Sequence, residues 1–175
     1  MNLPERIVAL HVALDGAALP HAFGGALALA WCTHRARGTI DVDINVFVPP
    51  DRARDVLEAM PAGVTWTDHD LELIERDGQV RVWWDRTPVD LFLNTTDFHE
   101  KAASRSRLEP FMGDDLPFLS CRDLAVFKAF FNRTKDWADL EAMRDAGALD
   151  VATVAGVLAT FLGGDDDRIA RLLSL

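Results

Sequence analysis

Leu3, Ile7, Leu10 and Leu14 recur three and four positions apart, which predicts an amphipathic helix over the first fifteen residues, closed by Gly16. Pro20 to Phe23 read as a short strand running into Gly24-Gly25, and the Ala- and Leu-rich run Ala26 to Trp31 as a helix leaving that glycine turn. From Thr39 to Val48 the period changes to two. Ile40, Val42, Ile44 and Val46 alternate with Asp41, Asp43, Asn45 and Phe47, which predicts a strand with one apolar face. Pro49-Pro50 stops it, and Asp51 is placed to cap a helix through Met60. Leu71 to Ile74 and Val80 to Trp84 flank Asp77-Gly78, a dipeptide suited to a tight hairpin turn. After Pro88 a further strand, Val89 to Asn94, sets Val89, Leu91 and Leu93 on one face and Asp90 and Phe92 on the other.

Past Pro117 the pattern is helical throughout. Ser120 with Asp123 forms a capping box ahead of Leu124, Phe127 and Phe131. A second helix runs from about Lys135 to Asp145 and stops near Gly147, and Asp150 to Leu162 and Asp165 to Leu173 give two more, parted by Gly163-Gly164. The expectation is an α+β fold: a small mixed sheet with helices to one side over residues 1–116, then a helical lobe over 117–175 that completes a cleft. No internal repeat or low-complexity tract interrupts it.

Composition narrows the function classes. Lys and Arg number 18 against 28 Asp and Glu, a net charge of −10, which excludes a non-specific DNA- or RNA-coating protein. No apolar run approaches the roughly 20 residues that span a bilayer. Ile7 to Leu14 does not read as a secretory core, because Glu5 and Arg6 precede it, His11 interrupts it and Asp15 ends it. Cys32 and Cys121 lack any metal-binding or disulfide-framework spacing, so a reducing cytoplasm with no membrane partner is the expected setting. One segment runs against the overall charge: residues 101–135 carry 7 basic and 4 acidic groups, the pattern of a local anion-binding wall.

Asp41 and Asp43 leave the same face of one strand about 7 Å apart. A pair like this is often no more than a solvated polar face. Here the other face is wholly apolar, and unpaired acids on such a strand are costly unless something positive compensates them. A hard divalent cation, Mg²⁺ or Mn²⁺, does so through oxygen ligands. Asp90, alone, reads equally well as an edge-strand surface acid. Joined to the first two it would complete a clamp for two metal ions. Gly24-Gly25 would let phosphate oxygens approach backbone amides at a helix start. Lys128, four after Leu124 and three before Phe131, lies on an apolar helix face and either snorkels or meets an anion. Asp136 is explained as a first-turn acid favoured by the helix dipole; Asp139 is not. The five tryptophans read as core, and the five histidines show no ligand spacing.

The segments FGGALALAWCTHRARGTIDVDINVFV and PVDLFLN together resemble the polymerase β-type nucleotidyltransferase superfamily: a glycine pair, a DxD strand, and a third acid on a later strand. RARGTIDVDI and DLAVFKAFFNRTKDWADLEAM are more closely similar to the AbiEii-like and related minimal nucleotidyltransferases, over roughly residues 3 to 145. The resemblance implies Mg²⁺-dependent transfer of a nucleoside monophosphate from an NTP such as ATP to a hydroxyl acceptor. That acceptor would be an RNA end, a protein side chain or a small molecule, and the protein would serve as a toxin countered by an antitoxin. It implies that Gly24 and Gly25 hold the phosphates, that Asp41, Asp43 and Asp90 bind metal with Asp90 as general base, and that Lys128 meets the triphosphate. Arg37 and Thr39 match the residues ahead of the first acid, and Arg133, Lys135, Asp136 and Asp139 match the helical motif. The stretch WCTHRA departs from the family's short glycine turn and leaves His34 and Arg35 without a role. Two other readings compete: a catalytically inactive binding or regulatory protein, which has no reason to keep three costly acids, and a DxD glycosyltransferase, which needs a larger sheet before its DxD.

Overall fold

The structure, a computed structural model, describes residues 1–175 as two compact units, Met1–Leu27 with Gly38–Leu119 and Ala28–Arg37 with Ser120–Leu175. In the first unit, strands β1 (His21–Phe23), β2 (Val42–Val46), β3 (Val64–Thr65), β4 (Gln79–Trp84), β5 (Thr87–Leu93), β6 (Arg107–Phe111) and β7 (Asp114–Phe118) form one mixed sheet. Its order is β3-β4-β5-β2-β1-β7-β6. β2 runs parallel to β5 and β1 parallel to β7, while the other neighbours are antiparallel.

Alternation in the central strands separates two chemistries. Val42, Ile44 and Val46 of β2, Val80, Val82 and Trp84 of β4, and Val89, Leu91 and Leu93 of β5 are all buried. Asp43, Arg81, Trp83, Asp90 and Phe92 take intervening positions and are not fully buried, while Asn45, also on that face, is buried. Two helices of this unit pack on the sheet: α1 (Leu3–Gly16) against β7, and α4 (Asp68–Asp77) against β4 and β5. α1 starts at a reciprocal Asn2–Glu5 capping box and buries Ile7, Leu10 and Leu14, as its spacing predicts. Arg6 of the same helix ties down the β4–β5 turn through the Trp84 carbonyl at 2.6 Å and the Thr87 hydroxyl at 2.6 Å.

The structure corrects several expectations. Asp77-Gly78 is not a hairpin turn; Asp77 ends α4 and Gly78 caps it with φ +69. Thr67 and Asp70 form the capping box that starts this helix, and Leu71 and Ile74, three apart, are its buried face. The true hairpin joins β4 to β5, with Asp85 at φ +52 in its turn. Asp51 caps nothing: a 3-10 turn over Pro50–Arg52 leads into α3 (Ala53–Glu58) with no side-chain cap, because Pro49-Pro50 holds the chain extended up to that point. β2 begins at Val42, so Asp41 precedes the strand. The β6–β7 hairpin and the six-residue helix α5 (Asp97–Ala102) carry too few alternating apolar positions to announce themselves.

The second unit takes the end of helix α2 (Gly25–Thr33) together with α6 (Cys121–Phe131), α7 (Thr134–Asp145), α8 (Val151–Leu162) and α9 (Asp167–Leu173). α6 packs on α7, α8 and α9, burying Leu124, Ala129, Trp137, Leu140, Val154 and Leu158 among others. Of the five tryptophans expected in the core, Trp84 and Trp137 are buried, Trp31 and Trp66 are half-buried, and Trp83 is exposed because it takes an outward position of β4. The cysteines are not free thiols: Cys32 at the end of α2 is bonded to Cys121 at the start of α6, with their Cα atoms 5.5 Å apart. Their 89-residue separation hid a pair that two helix ends bring together. Such a bond persists in oxidising surroundings, so a reducing cytoplasm would open it. No helix is long and apolar enough to cross a membrane. In the basic segment over 101–135, Arg107 pairs with Glu109, Lys128 with Asp139 and Arg133 with Asp136, so three of its seven cations already face acidic partners.

Candidate active site

The polar face of β2, β5 and β4 carries two of the sheet's acids, Asp43 and Asp90. Asp43 and Asp90 are register partners on the parallel strands β2 and β5, and Arg81 is the register partner of Asp90 across the β4–β5 hairpin. The three side chains thus stand in a row, each strand about 4.8 Å from the next. Period-two alternation keeps all three out of the core, and the hairpin fixes which residue of β4 faces Asp90.

Gly24 and Gly25 abut the same row. Gly24 donates its backbone N–H to the Asp43 carbonyl at 2.9 Å, which ends the β1–β2 pairing and turns the chain. Gly25 then opens α2 at φ +51, where a Cβ would stand 1.8 Å from Asp43 Oδ2. Glycine is required there twice over, by the left-handed backbone and by the carboxylate pressed against its Cα. The positive end of the α2 dipole favours a carboxylate in that place.

Arg81 spans the acids. Its Nε and Nη2 fork onto the two Asp90 oxygens at 2.7 and 2.6 Å, and Nη2 also lies 3.9 Å from Asp41 Oδ2. The hydrogen bonds to Asp90, with the charges of Asp41 and Asp43 added, push the guanidinium pKa further up. Asp41 is turned toward Thr39, whose hydroxyl donates to Asp41 Oδ1 at 2.5 Å. Arg81 thus stands against two of the three expected metal-binding acids, Asp41 and Asp90, and no group of three acidic, histidine or cysteine side chains is gathered as a metal cage. The donor chemistry still fits a hard cation, because Mg²⁺ is commonly held by one or two carboxylates with substrate phosphates supplying the rest. Asp43 and Asp90, adjacent in register, are the pair that can do this.

Two further residues, Asn45 and His99, join this face without having been singled out by their pattern. Asn45, two beyond Asp43, is buried and accepts a 2.9 Å hydrogen bond at Oδ1 from His99 Nε2 of α5. Burial lowers the His99 pKa to about 4, so the ring is neutral and Nε2 carries the donated hydrogen. A Cβ on Gly24 would meet Asn45 Nδ2 at 3.0 Å, so the oriented amide supports the glycine turn. Arg81 was visible only as a polar position in a strand; its register with Asp90 was the missing signal.

The remaining motif residues form a chain of charges in the second unit. Arg37 Nη1 donates to Asp139 Oδ1 at 2.5 Å, and Lys128 Nζ donates to Asp139 Oδ2 at 2.6 Å and lies 3.8 Å from Asp136 Oδ1. Arg133 donates to Asp136 through Nε at 2.7 Å. Lys128 is thus neither a snorkelling lysine nor an open cation, but a buried one held by two buried carboxylates. Three cations face two anions, and the exposed ends of the chain are Arg37 and Arg133. Lys135 is exposed in the first turn of α7.

No protein-family model matches the sequence, and no curated protein matches it significantly. Solved structures do share its fold. A solution structure of the antibiotic-resistance factor ANT(2'')-Ia aligns over 98% of this chain and 95% of its own, at 18% identity and TM-score 0.63. A crystal structure of ANT(2'')-Ia in complex with adenylyl-2''-tobramycin covers 90% of this chain and 95% of its own, at 16% identity and TM-score 0.63. An antigenic nucleotidyltransferase-like protein from Paracoccidioides brasiliensis covers 96% of this chain and 91% of its own, at 13% identity and TM-score 0.57. The chain therefore has a nucleotidyltransferase-type fold, α+β with a mixed seven-stranded sheet followed by a helical region.

Proposed function

We propose that the protein is a Mg²⁺-dependent nucleotidyltransferase that moves a nucleoside monophosphate from an NTP to a hydroxyl, with release of pyrophosphate. The observation that carries this reading is the register of Asp43 with Asp90 beside a glycine turn that Asp43 itself occludes to any side chain. Asp43 and Asp90 would hold the cation, which when bound draws phosphate and acceptor oxygens together and offsets developing charge. Gly24 and Gly25 leave the start of α2 bare of side chains, so its amides can meet phosphate oxygens. Thr39 holds Asp41 by its Oδ1 and leaves Oδ2 facing the site. Asp90 takes the acceptor's proton on a carboxylate oxygen once Arg81 releases it. The one excess positive charge of the Arg37–Asp139–Lys128–Asp136–Arg133 chain suits an anion meeting Arg37 or Arg133, with Lys128 holding the chain together from within.

For the acceptor, a net charge of −10 suits a cationic small molecule better than RNA. One structure of the same fold contains an adenylylated small molecule, which is in keeping with that choice. A role as a toxin held by an antitoxin, and a place in the AbiEii-like branch, rest on the Arg-x-Thr-x-Asp-x-Asp and Arg-x-Lys-Asp-x-x-Asp motifs alone.

The deciding experiment incubates the protein with each of four α-labelled NTPs, Mg²⁺ and pools of cationic small molecules, RNA and cell protein. Label transfer with pyrophosphate release, lost in Asp43→Asn and Asp90→Asn, is the expected result. Nucleotide binding with no transfer to any pool would replace this reading with that of an inactive binding protein.

A further inference from the structure

We infer that Arg81 is an internal counterion that occupies the cation's place on Asp90, and that a divalent cation binds only by displacing it. The inference deepens the proposed reading and rests on it. Three observations carry it. The guanidinium forks onto both oxygens of Asp90, the carboxylate that stands in register with Asp43, so it fills the position from which a cation would chelate that carboxylate. The same Nη2 lies 3.9 Å from Asp41, so one cationic group offsets two carboxylates that would otherwise repel across the sheet face. The Arg81 side chain is 49% exposed while that of Asp90 is 15% exposed, so the arginine can swing into water and the acid cannot.

A carboxylate row on a central sheet is costly without a counter-charge. Arg81 supplies that charge from the adjacent strand, at a position which the hairpin register makes unavoidable. The cation and the guanidinium then compete for the same oxygens. Arg81 becomes a positioning residue that keeps Asp90 oriented in the empty protein and weakens its hold on free metal. Metal arriving with a triphosphate brings its own oxygens and provides the freed guanidinium with a new anion, so the exchange favours loaded nucleotide over bare ion.

The test is Mn²⁺ binding by the purified protein without nucleotide, followed by calorimetry and by the loss of free-ion electron spin resonance signal. Arg81→Met should tighten Mn²⁺ by at least about tenfold, because a unit charge adjacent to a carboxylate near a protein surface is worth more than that. Its melting temperature without metal should drop below that of the parent and recover with Mn²⁺. Arg81→Lys, which keeps the charge and loses the fork, should tighten Mn²⁺ by a smaller factor, and it decides the matter if Arg81→Met does not fold. Unchanged or weaker Mn²⁺ binding in these variants, with measurable binding in the parent, overturns the counterion role and leaves the nucleotidyltransferase reading standing. Absence of Mn²⁺ binding in parent and variants alike overturns the counterion role, and its absence also with ATP present overturns the nucleotidyltransferase reading as well.

Discussion

Replacing Gly25 by alanine tests whether the glycine turn and the Asp43 carboxylate are one device. The new Cβ would lie 1.8 Å from Asp43 Oδ2 and 2.5 Å from its Cγ, where ordinary contact begins beyond 3.4 Å. β2 is pinned between β1 and β5, so the strand cannot retreat, and the short carboxylate has to swing off its rotamer at about 0.5–1.5 kcal/mol. Holding alanine at φ +51 adds roughly 1–2 kcal/mol. The expected loss is therefore about 1.5–3.5 kcal/mol in urea unfolding. Nucleotide transfer should fall about 100-fold, the usual effect of displacing a reacting group by an ångström. Gly24→Ala is the milder comparison for stability, since its Cβ would meet Asn45 Nδ2 at 3.0 Å rather than overlap a carboxylate and its φ is ordinary. In an Asp43→Ala background the Gly25→Ala penalty should shrink to its backbone part, giving a coupling of about 1 kcal/mol. Additive effects of the two substitutions would refute the argument, because they would mean that the alanine and the carboxylate never meet.

Three further outcomes follow from the geometry. Lys128→Met takes from Asp139 and Asp136 the cation they share, leaves each with one arginine, and should cost about 1–3 kcal/mol in denaturant unfolding, whereas an open phosphate-binding lysine would cost almost nothing. His99 is held neutral with its pKa lowered to about 4, below the unfolded value of 6.5, so the folded state takes up its proton later than the unfolded one. Stability from this group is present above pH 6.5 and is lost, by about 3 kcal/mol, as pH falls toward 4; His99→Gln should flatten that part of the pH–melting curve. Opening the Cys32–Cys121 bond with dithiothreitol should destabilise the protein by about 2–5 kcal/mol, and an unchanged melting temperature would show that the bond closes no loop in solution.

Much of the fold was legible because periodicity reports burial. The 3.6-residue spacing of Leu3, Ile7, Leu10 and Leu14 describes a face that must meet a core and was read correctly; the two-residue alternation from Thr39 to Val48 was right for Val42, Ile44 and Val46 but drawn too far, since Ile40 is 78% exposed and Asn45 and Phe47 are buried. Asp77-Gly78 was misread because its chemistry serves two purposes. A residue that tolerates positive φ closes a hairpin or ends a helix equally well, and only the upstream Thr67–Asp70 box separates the two. β6 and β7 escaped notice because an edge hairpin with one fully exposed strand end has little apolar face to display. The disulfide escaped because sequence separation says nothing about which helix ends are neighbours.

At the candidate site the acids were legible and their compensation was not, and one error led to the other. An apolar strand carrying Asp43 or Asp90 tells a reader that something positive stands nearby, because a bare row of carboxylates would not be tolerated. It does not say whether that charge is an ion or a side chain. The answer depends on which residue of β4 faces Asp90, and that depends on where the chain turns. A hairpin placed at Asp77-Gly78 pairs β4 with the wrong segment and leaves Arg81 facing no acid at all. With the turn at Asp85, residues 79 and 92 become partners, then 81 and 90, and the guanidinium arrives on the carboxylate without further choice. Register, set by one turn, converts a generic demand for positive charge into a named residue, and so decides whether this site meets its metal bare or already paired.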